Sequence, residues 1–322
     1  MREISLFDIE GICLGHAQNY ESGTGCSAII CTEGATGGVD VRGGAPGTRE
    51  TDLLNPVNMI EKIHAVVLSG GSAFGLDSAS GVMKYLEDQG VGFDVGVTKV
   101  PIVCSAVLFD LTVGNSQIRP DKNMGYEAAL NSEENKENLQ GNIGAGTGAT
   151  VGKMLGPEYS MKGGLGSYCL QVGELKVGAL IAVNCLGDVI DPSTGEILAG
   201  AFMDGKFVDT ESWMIDNYHK YNNVFQGNTT IGVVVTNGTL SKSQANKIAS
   251  MAHNGYGRTM RPAHTMFDGD TIFTMATGKV EADINLIGML AARVVEKAVI
   301  NAVKNASSRY GIMAYEDLNL DK

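Results

Sequence analysis

Apolar runs of strand length recur along this chain, each bounded by Gly, Asn or Asp, and that repetition limits the fold more than any other feature. Cys26–Cys31, Ala65–Leu68, Val177–Val183 and Thr230–Val235 are short and rich in apolar residues, as buried strands are. Three other segments have helical spacing. One runs from about Ala73 to Leu86 and is closed by Gly90. A second starts after Ser241, an N-cap with Gln244 as its capping-box partner, and places Ala245, Ile248, Ala249 and Ala252 at helical spacing. The third, INLIGMLAARVVEKAVINAVKNA, is apolar over a wide face and is expected to pack on a sheet. Strands and helices do not alternate strictly, so the pattern predicts a single α/β domain over residues 1–322, with sheets and helices in layers.

Several function classes are disfavoured at once. Asp and Glu outnumber Lys and Arg by 36 to 24, giving a net charge of −12, which repels nucleic-acid backbones. No stretch of 18 apolar residues is present, and MREISLFDIEGICLG lacks the basic start and apolar run of a signal peptide. The expectation is a cytoplasmic protein with no membrane partner. The Cys at 13, 26, 31, 104, 169 and 185 form no C-x-x-C pair and no cluster with zinc spacing. They read as small buried hydrophobes in a reducing compartment.

Residues Met203 to Asn228 are polar, without a sustained apolar period, and read as an exposed connection. They run directly into GNTTIGVVVTN, a good strand, and an internal cut there would not unravel a core. Residues 141–153, GNIGAGTGATVGK, contain G-x-G-x-x-A but follow a polar stretch, so they make a poor dinucleotide site. They also fail as a phosphate loop, because Met154 stands where a Ser or Thr would hold magnesium. SGGSAFG (69–75) follows a strand and opens a helix; tight strand–helix packing is its simpler reading, anion binding the other. His253 and His264 read as structural.

The blocks GGVDVRGGAPGTRETDLL, AVVLSGGSAFGLDSASGV, SAVLFDL, RPDKNMGYEAA, GAGTGATVGK, NTTIGVVVTN and HTMFDGDTIF occur in order over nearly the whole chain. In these blocks the chain resembles the L-aminopeptidase/D-amidase/D-esterase family of self-processing, N-terminal-nucleophile hydrolases. It is equally similar to that family's branch of endo-type 6-aminohexanoate-oligomer (nylon) hydrolases. The resemblance implies a layered αββα sandwich of the self-processing aminopeptidase/ornithine acetyltransferase type. It also implies cleavage between Asn228 and Thr229, giving a 1–228 α chain and a 229–322 β chain. Thr229 would be the nucleophile, with Lys153, Asn184, Asp268 and Asp270 at the other active-site positions. The expected substrates are short peptides, amides or amino-acid oligomers, the expected assembly is a homotetramer of αβ protomers, and no metal or organic cofactor is called for.

The residue types suit those roles. A Thr hydroxyl needs a base, and a free N-terminal amine, with a pKa of about 7.7–8.0, can be one. If Asp-Gly-Asp enters a strand, both carboxylates can face the Thr, where they could move a proton or hold a charged Lys153. Asn184 could donate its amide N–H to an oxyanion. Thr230 should point to the other face. The chain departs from some family members in having Phe109 where they have a Tyr whose hydroxyl helps hold the oxyanion. Two alternatives stay open: acyl transfer to an amine, as in ornithine acetyltransferase, and a non-enzymatic nucleotide-binding module built on residues 141–153.

Overall fold

The computed structural model describes residues 1–135, 137–219 and 227–318. Its centre is one ten-stranded sheet. The strands are β1 (Arg2–Ile4), β2 (Cys13–Asn19), β3 (Thr24–Val41), β4 (Thr48–Arg49), β5 (Lys62–Ser69), β6 (Val103–Val107), β7 (Gly164–Val172), β8 (Leu175–Val183), β9 (Ile231–Gly238) and β10 (Thr271–Val280). Their order is β1-β7-β8-β9-β10-β3-β5-β6-β4, with β2 also paired to β3. The helices are α1 (Ser78–Asp88), α2 (Lys122–Asn131), α3 (Thr210–Asp216), α4 (Lys242–Thr259) and α5 (Ile284–Lys304).

The sheet folds over on itself through β3. The end of that 18-residue strand pairs with β10 and its beginning with β2 and β5, with a register shift between Ile30 and Ala35. Alternation along each strand then feeds three separate cores. Ala179, Ile181 and Val234 pack outward beneath α4 and α5, with Ile248, Ala252, Val294 and Ala298. Their neighbours Leu180, Ala182, Val233 and Val235 point inward and meet Ile29, Val66, Leu68 and Cys104 from the other half. On the far side Ile30, Ala65, Val67 and Val103 pack against Ala79, Val82 and Leu86 of α1 and Ala128 of α2. Helix, sheet, sheet, helix is the αββα sandwich expected. Each fully buried aliphatic side chain contributes roughly 1.5–3 kcal/mol, so the inner sheet–sheet core is a main source of stability. At Gly166 on β7 an added Cβ would lie 2.0 Å from Ala298 O, so α5 can sit this close only over glycine.

The helix expected from Ala73 begins differently. Gly71 and Ser72 both have positive φ, the first turns over Ser72–Asp77 are 3-10, and α-helix starts only at Ser78. The α4 capping box of Ser241 and Gln244 is present. Part of the segment read as a plain connection is structured: Phe202–Met203 pairs with Lys206–Phe207, and α3 follows with Asp209 as N-cap. Its sequence is polar because most of its described residues are exposed, and its hold on the body is polar too: buried Asp188 accepts the backbone N–H groups of Ala201 and Thr210. Residues 220–226 of that segment lie outside the described residues. Five of the Cys are buried as expected, but Cys13 is exposed; all six are free thiols.

Candidate active site

Strand direction brings the chemistry to one end of the sheet. β9 and β10 are parallel, with Ile231 opposite Thr271, so the residues entering them lie side by side: Thr229 and Thr230 beside Asp268, Gly269 and Asp270. β8 is antiparallel to β9 with Ala182 opposite Ile231, so Asn184, two residues on, arrives at Thr229. β5 and β6 are parallel to each other and finish together, and the fold of the sheet through β3, not strand direction, brings the Ser72 and Phe109 that follow them to the same place. A cavity of about 110 Å³ opens there, lined by Ala45, Pro46, Ser72, Phe109, Phe267, Asn228 and Thr229, among others.

Thr229 is buried, and its N–H donates to Asn184 O at 2.9 Å. Its Oγ accepts from Gly269 N–H at 3.0 Å and donates to the Asn228 carbonyl oxygen. Gly269 N–H also lies 3.2 Å from Asn228 O. Thr230 turns to the opposite side, where its Oγ accepts from Asn184 N–H and donates to Met260 Sδ.

Lys153 is fully buried and donates to Thr150 O (3.0 Å), Asn184 O (2.9 Å) and Asn184 Oδ1 (2.9 Å). Three acceptors use all three donors of an ammonium group. Burial pulls its pKa down to about 8, while nearby Asp268, Asp110 and Asp270 oppose that shift. Asn184 Oδ1 also accepts from Thr150 N–H, and its Nδ2 donates to Phe109 O. One amide N–H offered above to an oxyanion is thus engaged by a backbone carbonyl. The Phe109 position contributes that carbonyl, and its ring lies against Gly227, where a Cβ would be 2.1 Å from Phe109 Cγ.

The two carboxylates do not point at the Thr229 hydroxyl or hold Lys153. Asp268 accepts from Leu186 N–H (3.3 Å), Thr265 N–H (3.0 Å) and Thr265 Oγ (2.5 Å). Asp270 accepts from Thr230 N–H (2.8 Å), His264 N–H (3.0 Å) and His264 Nδ1 (2.8 Å). Asp268 is bridged to Asn228 in register with the β9–β10 ladder, just before β10 proper, and the reason the carboxylates turn away is that buried backbone donors claim their oxygens. Burial, and then the proximity of Asp270, pushes the Asp268 carboxyl up to about 6. Sequence reading missed Gly269, Thr265 and the role of His264, all of them next to the motif it used.

The 141–153 stretch is no phosphate loop. It forms one 3-10 turn at Gly144–Gly146 and a short strand, Thr150–Val151, and it delivers Lys153 to the site. Among the described residues no group of His, Cys, Asp and Glu could hold a metal ion, and no helix is long and apolar enough to cross a membrane.

The fold is shared with solved structures. A Burkholderia sp. β-aminopeptidase aligns with TM-score 0.69 at 16% identity, covering 97% of this chain and 91% of its own. An L-aminopeptidase D-Ala-esterase/amidase from Ochrobactrum anthropi, described as a new variant among the Ntn hydrolase fold, aligns with TM-score 0.69 at 17% identity, covering 94% and 86%. The architecture is therefore that of this Ntn-hydrolase variant. A model of peptidase family S58 matches residues 5–315, and the chain belongs to that family. An uncharacterized aminopeptidase of Mycobacterium tuberculosis (strain H37Rv) is 38% identical over 349 residues, covering 98% of this chain and 97% of the relative. A 6-aminohexanoate-oligomer endohydrolase of Paenarthrobacter ureafaciens is 29% identical over 325 residues, covering 94% and 87%. The protein is a hydrolase acting on peptide or amide bonds.

Proposed function

We propose that this hydrolase cuts itself between Asn228 and Thr229 and then uses Thr229 as an N-terminal nucleophile. The observation that carries the reading is the setting of Thr229. It is buried at a pocket, its N–H is held by Asn184 O, and its hydroxyl lies between Gly269 N–H and the carbonyl of the bond to be cut.

In self-cleavage Thr229 Oγ attacks the Asn228 carbonyl carbon. The C–N bond breaks as the amine takes a proton, which leaves an Asn228 ester on Thr229, and water releases it. The freed amine stays against Asn184 O. Lys153 donates to the same oxygen, so its positive charge disfavours protonation of the amine and keeps a neutral fraction near pH 7. That amine takes the hydroxyl proton as Thr229 Oγ attacks a substrate amide, and returns it to the departing amine. Water then hydrolyses the ester. Lys153 and Asn184 position the amine, while Asp268 and Asp270 position the turn that carries Gly269.

Short peptides, amino-acid amides and 6-aminohexanoate oligomers are the substrate classes of this reading. The described residues around the cavity carry no formal charge, which suits an uncharged acyl chain such as a polymethylene segment. A homo-oligomer of cut protomers belongs to the same reading, to be measured by light scattering. The decisive experiment is intact mass with N-terminal sequencing of the wild type and Thr229→Ala. The expected result is a wild-type fragment beginning Thr-Thr-Ile-Gly and an uncut, inactive variant. A variant that still splits at this bond would remove Thr229 as the nucleophile.

A further inference from the structure

We propose that the backbone N–H of Gly269 is the oxyanion donor for self-cleavage, and that position 269 needs glycine because the attacking hydroxyl lies against it. The proposal rests on the self-cleavage reading above and supplies a component that reading lacks. Attack on the Asn228 carbonyl puts negative charge on its oxygen, which needs a donor where the bond is as buried as this one. Asn184 Nδ2, the side-chain donor at hand, has one of its two N–H groups engaged by Phe109 O, whereas Gly269 N–H already reaches the scissile carbonyl oxygen.

Gly269 N–H is already in place, 3.2 Å from Asn228 O and 3.0 Å from Thr229 Oγ. One N–H therefore touches both the atom that attacks and the oxygen that gains charge. As the carbonyl carbon becomes tetrahedral the donor has only to favour the second contact over the first.

The rest of the turn is immobilised in ways that leave this donor to the scissile bond. Asp268 O accepts from Ala45 N–H at 2.8 Å, and Asp270 O from Arg42 N–H at 2.9 Å. Gly269 O accepts from Thr271 Oγ at 2.9 Å. The two carboxylates take backbone donors on either side, as described above. A donor fixed before the reaction costs little reorganisation when charge appears, the condition under which such a group is most effective. The missing side chain is equally specific: a Cβ on residue 269 would stand 2.7 Å from Thr229 Oγ and 2.8 Å from Ala45 O.

The test replaces the Gly269 amide by an ester, with glycolic acid incorporated at position 269 of the full chain. This removes one N–H and adds no atom that could clash. Purified uncut chains are followed by gel and intact mass, and melting is measured on each. The expected result is self-cleavage slowed about a hundredfold, the scale for losing one oxyanion donor. Processing within about threefold of wild type would overturn the proposal and leave Thr229 as nucleophile untouched. A wild-type chain that never cuts would overturn both. A second measurement needs no turnover: isotope-edited infrared spectroscopy of the Asn228 carbonyl in uncut Thr229→Ala. The ester at 269 should shift that band to higher wavenumber as the carbonyl loses its donor, and an unmoved band would overturn the proposal even if the ester chain were less stable.

Discussion

Two glycine-bearing turns meet at the Thr229 pocket, and they are held in opposite ways. Asp268–Gly269–Asp270 carries its own acceptors: the carboxylates flanking the glycine bind backbone donors of Leu186, Thr265, Thr230 and His264. Ser69–Gly70–Gly71–Ser72 borrows its acceptor. Asp110, just past β6, takes Gly71 N–H at 2.7 Å and the Thr24 hydroxyl at 2.7 Å. The first turn touches the bond proposed to be cut, and the second supplies the wall at Ser72. The difference teaches that a segment placing a reacting donor carries its own anchoring carboxylates on either side of that donor, whereas a wall can be secured by a carboxylate from another strand.

The largest effect should come from the self-supported turn. Asp270→Ala strips the acceptor from Thr230 N–H, His264 N–H and His264 Nδ1, and is expected to cost about 3–5 kcal/mol by denaturant midpoint. It should also slow self-cleavage about tens-fold or more on a gel time course, the scale of misplacing a reacting group. A smaller effect is expected from the borrowed turn. Asp110→Ala leaves Gly71 N–H and the Thr24 hydroxyl unpaired, for a loss of about 2–3 kcal/mol, with the cleavage rate of folded chain changed only a few-fold. If Asp110→Ala slowed cleavage as much as Asp270→Ala, the contrast between wall and reacting turn would break. Asp110→Asn keeps an oxygen for Gly71 and should cost about 1 kcal/mol or less.

A pH dependence runs through both segments. Burial pushes the carboxyls of Asp110 and Asp188 up to about 6, and that of Asp268 likewise. Between an unfolded value of about 3.9 and about 6 the native state then binds more protons than the unfolded chain. Their contribution to stability is fully present below about pH 4 and is lost as pH rises to about 6. Calorimetric melting should show that downward component, and Asp110→Asn should flatten its share. An unchanged profile would mean that Asp110 is ionised throughout.

Much of this was legible because it is local. The Ser241 capping box, the apolar face of α5 and the strand runs are read from residues a few positions apart. Thr229, Lys153, Asp268 and Asp270 lie in the ordered blocks and Asn184 was assigned through the same resemblance; the five candidates lie close together in the fold. What escaped was set by partners far along the chain. Asp268 accepts from Leu186, 82 positions away, so no spacing rule could say that its carboxylate faces backbone and not the hydroxyl. Asp110 was passed over although it stands inside SAVLFDL, next to Phe109. An Asp closing an apolar strand, with a Gly-Gly turn after the parallel strand beside it, was the available signal. Helix α3 escaped because its tie to Asp188 is polar and leaves no apolar period.

The place of β9 has one more consequence. The strand that starts just after Thr229 is interior to the sheet, laddered to β8 on one side and β10 on the other. A cut before Thr229 therefore leaves the two pieces interlocked through the middle of a shared ladder. The uncut chain can refold alone, in a first-order process that ignores dilution. Once cut, the pieces would have to find each other in solution, so refolding becomes second-order and weakens as the sample is diluted. Maturation would thus turn a reversible fold into one whose persistence depends on how slowly it opens.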